Sequence, residues 1–191
     1  MTVARRPNDD QTSAAQVWDL ATGSPIGSAF DRAGRIECAV LNFDGSRVLV
    51  ASTRTAALTA DASEVLLWQT ETGKPMLEPL RHAWKVYWVA LSPDETKLLT
   101  AGSISGVNLA EKFVACLWDL TSGQLLGEPL KTSGYVTDAR FTGDRVQFLS
   151  ATYGRPAEAR LWELPAGLEP IPPMRHQEGV IGAYFSPDGA R

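Results

Sequence analysis

Residues 116–123 read CLWDLTSG, an apolar run that ends in a tryptophan, a polar residue and a turn containing glycine. Three other segments have the same order: QVWDLATG (16–23), LLWQTETG (66–73) and LWELPAG (161–167). Their tryptophans, Trp18, Trp68, Trp118 and Trp162, are separated by 50, 50 and 44 residues. Repetition at a period of roughly 20–50 residues is the sequence signature of a repeat architecture. The chain therefore contains about four copies of one structural unit.

A second series of residues keeps the same spacing. The segments NFDGSR (42–47), LSPDETK (91–97), FTGDRVQ (141–147) and FSPDGAR (185–191) each carry an aspartate within a run typical of turns. These aspartates, Asp44, Asp94, Asp144 and Asp188, are again 50, 50 and 44 residues apart. Two independent series with identical intervals indicate true internal repetition.

The segments between these markers predict short β-strands. Runs that begin at Ile36, Val86, Val136 and Val180 precede the aspartate turns, and a second strand follows each turn. The tryptophan strand comes next, and then a short strand that ends in SAF (28–30), EPL (78–80 and 128–130) or PPM (172–174). β-branched and aromatic runs between Gly, Pro, Asp and Ser are typical of strands and turns, and no segment has a sustained helical period. We predict an all-β protein whose repeats are four-stranded antiparallel meanders, with strands a, b, c and d in chain order.

The strand count gives four repeats that are cut out of phase. Residues 2–5 are predicted to be the remnant of a strand b, because Val3-Ala4 matches Val50-Ala51. The order is then b-c-d, three complete repeats and a final strand a at 179–185, which makes sixteen strands in a single repeat domain, residues 1–191.

The repeats resemble the WD40 family, over roughly residues 14–191. The resemblance lies in the pairs Trp18-Asp19 and Trp118-Asp119, the weaker Trp68-Gln69 and Trp162-Glu163, the Ser-Pro-Asp turns at 92–94 and 186–188, and His82 and His176, each 12 residues before a turn aspartate. Arg81 and Arg175 stand where the family has glycine. The runs TGKPMLEPLRH and LPAGLEPIPPMRH look like repeats of large bacterial proteins, some of them linked to kinases. The resemblance implies a β-propeller, whose blades are four-stranded sheets around a central channel.

The family's repeats often carry a hydrogen-bonded chain of His, Ser or Thr, Trp and Asp. Position by position, the resemblance gives His82, Thr100 and Trp118 in one repeat, Thr132, Ser150 and Trp162 in the next, and Arg32, Val50 and Trp68 in another. The positions of the aspartate hold Ala62, Lys112 and Pro156. Because this polar chain is degraded, we expect modest stability, with a melting midpoint below ~90 °C.

The open strand edges of four out-of-phase blades can be accounted for in three ways. The final strand a can pair with the N-terminal strands in a tight four-blade ring, or the chain can be a half-ring that forms a homodimer through its open blade edges, since unpaired edges promote association. The third solution is a fragment of a longer protein. The end inside a turn at residues 186–191 favours the half-ring or the fragment.

Composition excludes several partners. Of the 191 residues, 44% are apolar, and 18 basic against 22 acidic residues give a net charge of −4. We therefore expect no nucleic-acid partner and no membrane contact, because both need a clustered positive field. No segment looks like a secretory signal, and two cysteines make no disulfide framework. We expect a soluble, cytoplasmic protein.

The chain lacks the motifs of catalysis. The run Gly102–Gly106 has no lysine for a phosphate loop, and the two cysteines and two histidines do not have zinc spacing. Cys38 and Cys116 fit small buried positions, His82 and His176 fit structural ones, and the turn aspartates fit hairpins. We predict no enzyme activity, no cofactor and no metal, although unrelated propellers do host enzymes.

Two features of the sequence are not accounted for by the repeat pattern. The first is a group of residues, Trp84, Lys85, Tyr87 and Trp88, whose aromatic positions hold Gly34, Glu37 and Cys38 in the preceding repeat. Aromatic residues beside a cation are typical interface anchors, although these can also fill space between blades. The second feature is the length of the b–c loops 53–63 and 103–112, against the short 153–157. Such loops bind partners or are tolerated insertions.

These observations predict a non-catalytic scaffold for protein–protein interaction, whose contact is the face with Trp84 and Trp88. The alternative is a half-propeller whose main role is self-association into an eight-blade ring, or a piece of a larger, kinase-linked protein. The identity of the partner does not follow from the residues.

Overall fold

The computed structural model describes residues 1–6, 9–54, 62–104, 112–142, 145–152, 156–164 and 171–186. The fold is all-β, with 62% of residues in strands and no helix in these ranges. The strands form four antiparallel sheets, one for each repeat of the sequence, so the predicted fold class is confirmed. The chain divides into two compact units, Met1–Val89 and Ala90–Arg191.

Two of the four sheets lie entirely within the first unit. The first sheet has the order β1 (Thr2–Arg6), β2 (Asp9–Trp18), β3 (Pro25–Ala33), and the second has the order β4 (Arg35–Leu41), β5 (Arg47–Arg54), β6 (Ala62–Gln69), β7 (Leu80–His82). The second sheet is the predicted a-b-c-d meander, and the first lacks a strand a among the described residues. Neighbours in sequence are neighbours in each sheet, as short turns require.

The division between the units falls within β8, at residue 89. The third sheet comprises β8 (Lys85–Leu91), β9 (Lys97–Ser103), β10 (Phe113–Asp119), β11 (Gln124–Leu125) and β12 (Leu130–Thr132), in the order β11-β10-β9-β8 with β12 also on β10. The fourth sheet has the order β13 (Tyr135–Thr142), β14 (Arg145–Ala151), β15 (Ala157–Leu164), β16 (Met174–His176).

The register of β1 differs from the sequence prediction by one residue. Thr2 lies opposite Gln16, two residues before Trp18, and Val50 lies opposite Leu66, two residues before Trp68. The predicted match of Val3 with Val50 is therefore wrong, and Thr2 is the residue that corresponds to Val50. In the fourth sheet the same position holds Ser150, opposite Arg160.

The d strands were also misplaced. We expected them to end at Phe30, Leu80, Leu130 and Met174, but β3 continues to Ala33, and β7, β12 and β16 begin where they were expected to end. Pro79, Pro129 and Pro173 directly precede the last three strands. Proline has no N–H to donate to a ladder, so regular pairing starts after it.

The predicted final strand a, residues 179–185, is not a strand. The backbone from Val180 to Ser186 pairs with no strand of the described chain. It is attached through Val180 N, which donates to Thr152 O (3.0 Å), Thr137 Oγ1, which donates to Ala183 O (2.8 Å), and Phe185 N, which donates to Asp138 Oδ2 (2.8 Å). Two bonds to side chains and one backbone bond thus attach this segment where a strand ladder was expected.

The core of the first unit lies between its two sheets. Ala15, Val17 and Phe30 of the first sheet form one buried cluster with Ile36, Val48 and Val50 of the second. The ring centroids of Phe30 and Trp68 are 5.5 Å apart in this layer. The alternation of buried residues along each strand thus packs one repeat against the next, which is how adjacent blades are stabilised in a repeat protein.

Candidate functional site

Trp84 and Lys85 lie where the second sheet leads into β8. The connection is only two residues long, Ala83 and Trp84, between the end of β7 and the start of β8. Trp84, Lys85, Tyr87 and Trp88 are all half-buried, whereas Val86 and Val89 of the same strand are fully buried. The four predicted contact residues therefore follow one another along a short stretch of the first unit, and each keeps part of its side chain accessible.

The side chain of His82 packs against Trp84 of this connection. It is buried, its Nδ1 lies 3.1 Å from the carbonyl oxygen of Leu80, and Trp84 meets its ring edge-on at 5.3 Å between centroids. Ser63 Oγ accepts the backbone N–H of Val86 (3.0 Å). Burial lowers the pKa of His82 to about 4, so the imidazole is neutral at neutral pH and serves as an uncharged support.

The indole N–H of Trp84 has no hydrogen-bond partner although its nitrogen is buried. A buried donor without an acceptor costs about 1–3 kcal/mol. The ring is therefore held by packing, chiefly on His82, and not by its polar atom.

A covered glutamate, Glu37, holds two cations. Glu37 Oε2 lies 3.2 Å from Lys85 Nζ and 3.5 Å from Arg35 Nε. The glutamate side chain is 8% exposed, whereas Lys85 is 33% and Arg35 56% exposed. The negative partner is thus covered and the positive groups face outward.

A second glutamate repeats this arrangement. Glu64 Oε2 lies 2.7 Å from Arg32 of the first sheet, and its Oε1 lies 3.8 Å from Arg81. Glu64 is 13% exposed and Arg81 77%. We call Arg32, Arg35, Glu37, Glu64, Arg81 and Lys85 the ionic rim.

Strand register explains why the ionic rim lies at one end of the second sheet. Arg35 begins β4 and pairs with Thr53, and Glu64 of β6 pairs with Arg81 of β7. The hydroxyls of Thr53 and Ser63 lie 2.8 Å apart between these strands. The sheet end therefore presents Arg35 on strand a and Arg81 on strand d, on opposite faces of the sheet, because they belong to adjacent rows of the register.

Sequence reasoning missed every member of the rim except Lys85 as a site residue. A signal was present: Glu64 and Glu158 both stand four residues before a repeat tryptophan, and Arg81 and Arg175 both precede a histidine. Glu158 of the fourth sheet is likewise covered, with Arg160 at 2.7 Å and Arg175 at 3.4 Å.

The repeat tryptophans show a shared hydrogen bond. In the first unit, Trp18 Nε1 donates to Thr2 Oγ1 (3.0 Å). In the second unit, Trp118 Nε1 donates to Thr100 Oγ1 (3.0 Å) and Trp162 Nε1 donates to Ser150 Oγ (2.8 Å). Trp68 is the exception, since its buried Nε1 has no partner. The corresponding residue is Val50, which has no hydroxyl.

The remaining predicted positions are not members of the rim. His176 is exposed in β16. Asp44 and Asp94 occupy hairpin turns: Asp44 Oδ1 accepts Ser46 N (2.9 Å), and Asp94 Oδ1 accepts the Ser92 hydroxyl (2.6 Å). The bonds from the Ser92 hydroxyl and from Thr96 lower the pKa of Asp94 to about 2. Asp144, Asp188 and most of the b–c loops lie outside the described residues.

The two thiols have little nucleophilic reactivity. Cys38 and Cys116 are free, and burial raises the pKa of each thiol to about 12, so neither forms the thiolate that reacts as a nucleophile. No three His, Cys, Asp or Glu side chains among the described residues are placed to hold a metal ion.

The described chain contains no helix that is long and apolar enough to cross a bilayer. No protein-family model matches the chain, and no curated protein matches it.

Proposed function

We propose that the chain is a non-catalytic WD40-type interaction module that binds a protein partner through Trp84, Lys85, Tyr87 and Trp88. The observation that carries this proposal is the half-exposed ring of Trp84, fixed on buried His82 at the junction of two sheets. The corresponding position is glycine in two other repeats, at Gly34 and Gly134. The tryptophan is therefore not needed to build a repeat.

A fixed aromatic ring is a favourable anchor for a partner. Binding energy is concentrated in a few aromatic and arginine residues of an interface, and a side chain that is already ordered loses little entropy on association. Trp84 meets both conditions, because His82 supports it and Lys85 and Arg81 lie close by in sequence.

Binding without catalysis accords with the titrating groups near this face. A histidine with a pKa of about 4 is a poor general base at neutral pH. The thiol of Cys38 stays protonated. The free cysteines also suit a reducing compartment, so we place the protein in the cytoplasm, and the likeness of its repeats to those of bacterial proteins makes a bacterial source part of the proposal.

Affinity capture tests the proposal. The wild-type chain and two variants, Trp84→Ala and Tyr135→Ala, are immobilised and exposed to extract from the source cells, and retained proteins are identified by mass spectrometry. Tyr135 is the control because it is 47% exposed and begins strand a of another sheet. We expect a partner that the wild type and Tyr135→Ala retain and Trp84→Ala loses. Equal retention by all three proteins would refute the proposed face.

Self-association is the second candidate function. In the first sheet, β1 is an edge strand that pairs only with β2 among the described strands, and the segment 180–186 pairs with no described strand. Exposed edges are templates for strand addition, which favours a half-propeller that completes itself with a second copy. Sedimentation at micromolar concentration decides this: a dimer supports self-association, and a single species at the one-chain mass of 20.7 kDa excludes it.

A further inference from the structure

We infer that the partner recognised at this face is an extended acidic peptide segment that crosses the ionic rim, an inference that rests on the proposed function. The sequence alone argued against a positive surface, because the net charge is −4. The rim is a local exception, and its geometry specifies the ligand.

The rim presents positive charge although it contains glutamates. Glu37 and Glu64 are 8% and 13% exposed, while Arg35 and Arg81 are 56% and 77% exposed. A ligand therefore meets the guanidinium groups and not the carboxylates. Within residues 31–37, Asp31 is the one exposed carboxylate, and the same stretch carries two cations, Arg32 and Arg35. Lys85 and Arg81 add two further cations through their contacts with Glu37 and Glu64.

The glutamates orient the arginines and engage only part of their N–H donors. Arg81 is 3.8 Å from Glu64, whose shorter contact is with Arg32 at 2.7 Å. Arg35 contacts Glu37 through Nε at 3.5 Å. A guanidinium has five N–H donors in a planar fork suited to a carboxylate, and each arginine uses only part of this fork on its glutamate.

The two arginines lie at the same end of the second sheet but on opposite faces. Arg35 is on strand a, in the row of Thr53, Ser63 and His82, and Arg81 is on strand d, in the neighbouring row of Glu64, Ser52 and Ile36. Successive residues of a strand point to opposite faces, so a peptide that binds both arginines crosses the end of the sheet. An extended peptide advances about 3.3 Å per residue, so it can place several acidic residues along this crossing.

Peptide selection supplies the test. A phage-displayed library of random twelve-residue peptides is selected on the immobilised chain in about 50 mM salt, and the enriched peptides are synthesised with a fluorescent label and titrated by anisotropy. We expect enrichment of peptides with two or more acidic residues, and affinity that falls at least about tenfold when these acids become Gln or when salt rises to about 500 mM.

Variants separate the rim from general charge effects. Arg35→Gln with Arg81→Gln leaves Glu37 with Lys85 and Glu64 with Arg32, so the fold is retained, which a thermal melt verifies. We expect about tenfold weaker binding in this double variant and no change in Arg175→Gln, the matched arginine of the fourth sheet, 81% exposed beside Glu158.

The outcomes distinguish this inference from the proposed function. Peptides without acidic enrichment that lose affinity in Trp84→Ala but not in the double arginine variant would overturn the acidic ligand and leave the Trp84 face standing. An equal loss in Arg175→Gln would also overturn it, since the attraction would then be non-specific. Failure to enrich any peptide that needs the two arginines would overturn the acidic ligand, and the capture experiment with Trp84→Ala decides the proposed face separately.

Discussion

Trp118 Nε1 donates a hydrogen bond of 3.0 Å to Thr100 Oγ1, across the adjacent strands β10 and β9. Both residues are buried, so the bond satisfies two polar atoms that water does not reach. Trp18 and Trp162 make the same bond to Thr2 and Ser150. A tryptophan on strand c and a hydroxyl on strand b are thus a repeated stabilising pair, and the second repeat breaks the pattern.

We predict that Val50→Thr stabilises the protein. Val50 is fully buried, and its counterparts in the other repeats carry the hydroxyl that accepts from the tryptophan. Threonine is β-branched like valine, so it suits the strand, and its Oγ1 gives Trp68 Nε1 the acceptor it lacks. We expect the free energy of unfolding in urea to rise by about 1 kcal/mol. Val65→Thr is the control, because Val65 lies on the other face of β6, and we expect it to destabilise.

Thr100→Val is the reverse experiment. It removes the acceptor from Trp118 and leaves a buried indole N–H unsatisfied, as in the second repeat. We expect a loss of about 1–3 kcal/mol in the same urea assay. A variant as stable as the wild type would mean that Trp118 is held by packing alone.

His82 makes stability depend on pH. Its folded pKa of about 4 lies below the ordinary 6.5, so on acidification the unfolded chain takes up a proton before the folded chain does. The unfolded state then binds more protons, and stability falls as pH falls from about 6.5 to 4. We expect a loss of about 2 kcal/mol between pH 7 and pH 5.

The loss should be attributable to this one histidine. We expect His82→Gln to flatten the decline in urea titrations at the two pH values, and His176→Gln, at an exposed position, to leave it unchanged. Asp94, with a pKa of about 2, adds stability that is lost only below about pH 4, outside this window. Identical pH dependence in His82→Gln and wild type would contradict the assignment.

Alanine substitutions at Gly23 and Gly27 distinguish the cost of backbone strain from the cost of a steric clash. Both have φ in the left-handed region, at +64° and +69°. A Cβ on Gly23 meets no atom within 4 Å, whereas one on Gly27 would lie 2.3 Å from the carbonyl oxygen of Thr70 in the next sheet. We expect Gly23→Ala to cost about 1–2 kcal/mol from strain alone. Gly27→Ala should cost clearly more, measured as the difference between their thermal midpoints, and equal midpoints would show that Thr70 yields at no cost.

Regular spacing made part of the molecule predictable. The four repeats became four sheets, and the pairs Thr100 with Trp118 and Ser150 with Trp162 followed from the resemblance, because pairing across adjacent strands depends only on register. Thr2 was misaligned because the match rested on the residue types of Val3-Ala4 and Val50-Ala51, whereas the register makes Thr2 the counterpart of Val50. The glycine-to-tryptophan exchange at Trp84 was visible as a departure from the repeat.

The ionic rim was not predictable in the same way. Glu37 and Lys85 belong to different repeats, and their contact depends on how one sheet packs beside the next strand. Charged residues are expected on the surface, so the repeated placement of Glu64 and Glu158 four residues before a tryptophan was the one sequence signal that set Glu64 apart from an ordinary exposed glutamate. Only burial of the carboxylate shows that the arginines around it are oriented.

The attachment of residues 180–186 has a consequence for the native ensemble. This segment is held by the side chains of Thr137 and Asp138 and by one backbone bond at Val180, while Ile181 is 86% exposed. No ladder with a described strand holds the segment, and Ile181 and Tyr184 are largely exposed, so its opening free energy lies below that of global unfolding. At equilibrium, a minority of molecules therefore has the outer side of β13 unoccupied while both units remain folded.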